Sequence, residues 1–355
     1  FFLFLAKNYG LLDIETYFII FIFLTGIAMT YERAFYALFR EKKQFSYVAK
    51  ERVLVSICHP TIGLCFALFF RNSYILLLAF AASHLLGALY FHRIAKRKGI
   101  MPGWSLDFRA SKKLLKKNWN TVAFQTPSDF LNSTFGNLPI LLLKKFFSED
   151  ILGFFSLSMR ILGTANSLLS QGLYETFLPY VAKSQYKREL ALNYFPLLCS
   201  IFFPAYFAAS FLSSWYVPLL FGESFSYVSE IVRIMAPFYF TTAVTGPYLG
   251  FVLIYRRSEI NLIINVLGII LRAGLFFLSS LFWGLSGGLF AISISGILVY
   301  FTIIIVATRL SNGFLMKISI PLVVYTVMLF VVSSNIVTTW MIPVFLLPSF
   351  LIIYK

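Results

Sequence analysis

The chain has 355 residues, 59% hydrophobic and 12% charged, with a mean hydropathy of +0.82 and a formal net charge of +16. That hydropathy excludes a soluble globular domain, and apolar runs of about 20 residues repeated from end to end define a polytopic helical membrane protein. A β-barrel is excluded because barrel strands alternate apolar and polar residues, whereas Ile297 to Ala307 is apolar on every face. In a soluble protein the positive charge would point to nucleic acid; here its distribution sets orientation, and no nucleic-acid partner is expected. Cys58, Cys65 and Cys199 are an odd set inside apolar spans without metal-ligand spacing, so they define neither a disulfide nor a zinc site.

The chain opens on Phe1 and five more apolar residues, too few to cross a bilayer and without the basic region or cleavage site of a signal peptide. We expect this start to lie inside an earlier span. Hydropathy then predicts eleven spans, at about 15–36, 53–70, 73–92, 119–143, 151–182, 190–220, 228–254, 259–282, 286–308, 318–334 and 337–354. Every second connection is basic: Arg40 to Arg52, Arg93 to Lys117, Lys183 to Arg188, Arg256-Arg257, Arg309 to Lys317, and finally Lys355. Those segments hold 22 of the 30 Lys and Arg. The positive-inside rule therefore puts them in the cytoplasm.

The first span ends in Glu32 and Arg33, near the cytoplasmic mouth, read as a local ion pair or a gate. His59 and His84 in the next two spans are either proton sites or hydrogen-bonded links between helices. The basic linker that follows contains a surface helix, Leu106 to Lys117, placed to lie on anionic lipid headgroups. The fourth span carries Gln125, Asp129 and Asn132 at i, i+4 and i+7. The fifth carries Arg160, Thr164, Ser167, Gln171 and Glu175 at i, i+4, i+7, i+11 and i+15. Each set occupies one helical face.

Asp129 and Arg160 fall about 10 residues from a span end, about 15 Å deep at 1.5 Å per residue. A charge held there costs at least ~2.5–3.5 kcal/mol, so such residues face a bundle interior or an aqueous cavity. We read both faces as lining one. Arg160 is a contact for an anionic cargo group or a structural partner of Asp129. Glu175 is a proton or cation site, or simply a solvated acid.

Spans six and seven are expected to be broken by Pro196, Pro204, Pro218, Pro237 and Pro247. Span eight presents Asn261, Asn265 and Arg272 on one face, Arg272 either touching cargo or snorkelling outward. The last two spans hold no charge between Lys317 and Lys355 and are assigned to packing or partner contact. A faint echo of Leu38–Phe70 in Leu253–Phe282, offset by about 215 residues, has the form of a parallel repeat. By that offset, about three spans precede Phe1.

The run Leu138-Pro139-Ile140-Leu141-Leu142-Leu143, then Phe146-Phe147-Ser148-Glu149-Asp150-Ile151-Leu152-Gly153-Phe154-Phe155-Ser156-Leu157-Ser158-Met159-Arg160, resembles a span junction of the O-antigen-type polysaccharide flippases in the multidrug/oligosaccharidyl-lipid/polysaccharide exporter superfamily. The exit Phe177-Leu178-Pro179-Tyr180-Val181-Ala182 is similar to theirs, although Phe154-Phe155 stands where Tyr-Tyr is commoner. The resemblance covers roughly Leu24 to Arg309. It implies an all-α, two-lobed bundle with about eleven complete transmembrane helices and an N-terminally truncated first lobe. The expected parts are 1–92 as the remainder of that lobe, 93–118 as a cytoplasmic linker, 119–309 as a six-helix lobe, and 317–355 as two additional helices.

The resemblance further implies a cargo of polyprenyl-diphosphate-linked oligosaccharide, flipped from inner to outer leaflet of the cytoplasmic membrane. A diphosphate suits the planar fork of Arg160 or Arg272, and sugars suit amides such as Asn132 and Gln171. The expected site is therefore Arg160, Asp129, Asn132, Gln171 and Arg272, with Glu175, Glu32 and Arg33 as coupling or gating groups. Membrane lipids and glycan assembly enzymes are the expected partners. Rival readings are a peptidoglycan-precursor (lipid II) flippase, a multidrug exporter, and a non-transporting fragment. A polysaccharide polymerase is a weaker rival, because every outer connection is short. No catalytic grouping, metal-ligand cluster or nucleotide motif is visible, so neither an enzyme nor a cofactor is expected.

Overall fold

The computed structural model describes residues 16–42, 44–69, 74–100, 108–119, 121–183, 192–255, 257–310 and 315–333. The eleventh predicted span lies outside the described residues. Among them every regular element is helical: α1 (Thr16–Glu41), α2 (Phe45–Phe69), α3 (Tyr74–Arg97), α4 (Phe108–Lys117), α5 (Thr126–Phe146), α6 (Glu149–Val181), α7 (Phe195–Phe211), α8 (Ser213–Phe221), α9 (Ser226–Thr245), α10 (Gly250–Ile254), α11 (Ser258–Leu310) and α12 (Leu315–Ser333). They belong to two compact units, Phe1–Asp107 and Phe108–Lys355.

In the first unit α1 and α3 run parallel: Glu32 meets His84, and seven residues later Phe39 stacks on Phe91 at 5.2 Å. α2 runs against α3, since His59 packs on Phe80 while the earlier Glu51 lies at the later Gly87. Phe35, Phe39, Val48, Phe91 and Ala95 form the core between them. The outer face of α2 is Val53, Ile57, Leu64 and Leu68, apolar yet exposed.

The second unit is built around α9, which is apolar on nearly every face and buried on nearly every face, as an interior helix must be. α7 crosses it antiparallel, Phe203 meeting Phe240 and Phe195 meeting Tyr248. α12 closes the same core through Tyr325, whose ring lies 4.6 Å from Phe203 and whose hydroxyl lies 3.2 Å from Ser200 Oγ. α6 runs parallel to α9, Ser158 Oγ reaching Val228 O and Gly163 facing Tyr239.

The prolines act differently from the expectation. α7 continues through Pro204 and α9 through Pro237, while Pro196 sits in the first turn of α7 and Pro247 in a 3-10 turn, Gly246–Leu249. The sixth span bends instead at Leu212, where α7 and α8 meet at 62°. There Ser213 Oγ bonds Ser210 O at 2.7 Å, and Ser213 and Ser229 bond each other's carbonyls reciprocally. Buried hydroxyls compete for helix carbonyls at the bend, and next to it Pro218, inside α8, has no amide to give Ser214 O.

By length and composition one described helix, Ser258–Arg309, is long and apolar enough to cross a membrane, and the bent α7–α8 pair is a second candidate. The first is a hairpin of two arms. Gly284, at φ 59 and ψ −143, occupies a region only glycine reaches readily. Beyond it the chain turns back, so that Gly268 faces Val299, Arg272 faces Ser295, and Phe276 faces Gly288. An arm of about 26 residues is about 39 Å long, enough for a hydrocarbon core of ~30 Å.

Candidate functional site

Exposed faces in the second unit are of two kinds. The first arm of α11 turns Ile263, Leu267, Ile270, Phe277, Leu278 and Leu281 outward and buries Asn265, Gly268 and Arg272. An apolar outside with a polar inside is the arrangement that lipid, and not water, selects. α5 differs: Ser128, Phe135, Pro139 and Leu143 are buried, while Asp129, Asn132, Ser133 and Asn137 are exposed, with Phe130 and Leu141 exposed at the edge of the stripe. That polar face is the candidate site.

Its geometry starts one turn earlier. Pro127 has no amide to close an α turn onto Ala123, and the chain enters α5 through a π-helical turn, Thr121–Gln125. The wider turn leaves Gln125 in line with Asp129, and Gln125 Nε2 donates to Asp129 Oδ1 at 2.7 Å. Asn137 Nδ2 donates to Ser133 O at 2.9 Å, leaving its carbonyl oxygen on the exposed face. Ser133 and Asn137 extend the stripe beyond the expected residues. Their signal was available as the same i, i+4 spacing continued by one turn.

Arg160, on α6, is exposed, and among the described residues no ion pair joins it to Asp129. The expected structural pair is not formed; Asp129 accepts from Gln125. Asn132 is exposed on the same face as Asp129. The side chains of Gln171 and Glu175 lie outside the described residues.

Arg272 is placed otherwise than a cargo contact requires. It is 1% exposed, with Phe135 and Phe238 rings 3.6 and 5.2 Å from its guanidinium carbon. Nε donates to Ser295 Oγ at 3.1 Å and Nη1 to Phe135 O at 2.7 Å. The second bond has a local cause: Pro139, four residues on, has no amide to give Phe135 O, and Arg272 supplies the missing donor. Seven residues earlier Asn265 Nδ2 donates to Ser128 O and Oγ at 3.0 and 2.9 Å. The two polar residues therefore clamp the first arm of α11 parallel to α5, in register over two turns. Snorkelling is not observed.

In the first unit Glu32 Oε2 lies 2.7 Å from His84 Nδ1 and Arg33 is exposed, so the expected local pair of Glu32 with Arg33 is replaced by a link between helices. α4 presents Lys112, Lys113, Lys116 and Lys117 on one side and Leu114 and Leu115 on the other, all exposed. This is the division an interfacial helix needs.

Helices with apolar outer faces, polar inner clamps and a separate exposed polar stripe define a helical membrane protein. Over residues 5–230, more than half of its length, the chain matches the family described as Polysaccharide biosynthesis protein, and it belongs to that family. Its work is accordingly in polysaccharide assembly. No curated protein and no solved structure matches it.

Proposed function

We propose that this chain is a transporter, not an enzyme, that flips polyprenyl-diphosphate-linked oligosaccharide from the inner to the outer leaflet of the cytoplasmic membrane by alternating access. The observation that carries the reading is the exposed polar face of α5, Asp129, Asn132, Ser133 and Asn137, on a helix of membrane-spanning length. Such a face is unstable against lipid and is accounted for by a hydrated path. The exposed guanidinium of Arg160 suits a diphosphate.

The finer topology we infer is eleven spans with basic connections in the cytoplasm. Parallel α1–α3, α6–α9 and α5 with the first arm of α11, and antiparallel α2–α3 and α7–α9, are the directions that this alternation requires. The test is complementation of surface glycan in cells lacking the chain. Arg160→Ala and Asp129→Ala each remove a charge-assisted contact worth about 1.5–3 kcal/mol, so glycan export should fall about tenfold or more. Normal glycan from both variants, at equal membrane abundance, would falsify the assignment of this face.

A further inference from the structure

Between its three helices the first unit encloses titratable side chains that are not among the expected cargo contacts. Glu51 of α2 is 2% exposed, and Glu32 of α1 is partly buried. A Cβ on Gly87 of α3 would stand 2.6 Å from Glu51 Oε1 and 3.5 Å from Glu32 Oε2, so both carboxyls occupy the space that glycine leaves open. Two carboxyls turned toward one glycine are neighbours inside the helix packing, and a hydrogen bond between them would require a proton. Glu51 Oε1 is buried with no hydrogen-bond partner among the described residues. Glu32 Oε2 is also met by His84 Nδ1 of α3 at 2.7 Å.

The charged and titratable groups around the pair come from all three helices. On α2, Arg52 adjoins Glu51 but stacks on Tyr36 of α1 and donates to its hydroxyl, and Lys50 is exposed. On α1, Arg33 is exposed and Tyr31 is hydrogen-bonded to His92 of α3. On α3, Tyr90 is near enough to sense the Glu51 charge; His59 of α2 packs on Phe80. Two neighbouring carboxylates, one buried and one partly so, do not both ionise readily, even with Arg52 acting on Glu51.

We propose that Glu32, Glu51 and His84 form a proton-binding site, one proton being shared by the two carboxyls and exchanged through His84 at the Glu32 end. Loss of that proton to solvent takes the carboxyl pair from one negative charge to two, inside the packed contact of α1, α2 and α3. Glu51 precedes the second span, and burial first, then the Glu32 charge, pushes its carboxyl up to about 7, with Arg52 pulling the other way. A pKa raised from 4.5 to about 7 on folding means that the stabilisation is full below 4.5 and is lost as pH rises through about 7.

Difference infrared spectroscopy of the full chain in lipid vesicles, stepped from about pH 5 to about pH 9, reads the protonated carboxyl directly. The expected result is a carboxylic C=O band lost with a midpoint near neutrality and missing in Glu51→Gln or Glu32→Gln. Gln keeps the shape and neutrality of the protonated acid, so these variants should pack, and their melting temperatures should lose the fall with rising pH seen in the parent. A parent chain with no band titrating above about pH 6, or a band that persists in both variants, overturns the site. The measurement involves no cargo, so its failure leaves the transport reading of the second unit untouched.

Discussion

Replacing Arg272 by Met while restoring an amide at position 139 separates a helix clamp from a cargo contact. Arg272→Met strips Phe135 O of its donor, at about 1–3 kcal/mol for a buried acceptor left unmade. It also removes cation–π contact with two rings, about 1–2 kcal/mol when desolvated. Against this stands relief from burying a guanidinium without a carboxylate, several kcal/mol in the opposite direction. The sign of the single change is thus a difference of large terms, whereas the coupling to Pro139 is not. Pro139→Ala returns an amide to Phe135 O and makes the Arg272 donor redundant, so Arg272→Met should be milder in that background by about 1–2 kcal/mol, the upper range for hydrogen bonds between membrane helices. The assay is a double-mutant cycle on reversible unfolding in detergent micelles. Additivity within about 0.5 kcal/mol would show that Arg272 does not serve the carbonyl freed by Pro139.

Gly284→Ala forces a side chain into φ 59, ψ −143 and should cost about 1–3 kcal/mol, read as a lowered melting temperature; an unchanged value would mean that the hairpin does not turn on this residue. Changing Lys112, Lys113, Lys116 and Lys117 together to Gln should lower retention of anionic lipid by the purified chain, at about 1 kcal/mol per lysine, with neutral lipid unaffected. Equal anionic lipid on both forms, counted by native mass spectrometry, would remove α4 from the headgroup layer.

The fold class, the breaks between helices near 42–44, 147–148 and 284, and the polar stripe of α5 were legible from hydropathy, charge and helical spacing, because each depends on neighbours within a few turns. Asp129 and Asn132 sit on the exposed face that their spacing required. The prolines were misread because a freed carbonyl kinks a helix only if nothing else meets it. Packing keeps α7 and α9 continuous, and Arg272 answers Pro139 from 133 positions away along the chain. Asp129 takes a neighbour on its own face, Gln125, and not Arg160 of the next helix, because side-chain reach between helices depends on their packing.

Glu51 was passed over because it stands in a run of loop charges, where an acid beside an arginine is ordinarily solvated. Only the approach of α1 and α3, with glycine at position 87, turns it inward onto a second carboxyl. Composition and periodicity by themselves determined that this chain is a helical membrane protein, since lipid acts on each segment independently. Which buried polar groups are clamps and which hold a proton was decided by tertiary register, since a hydrogen bond needs its partner within about 3 Å and no one-dimensional pattern encodes that distance.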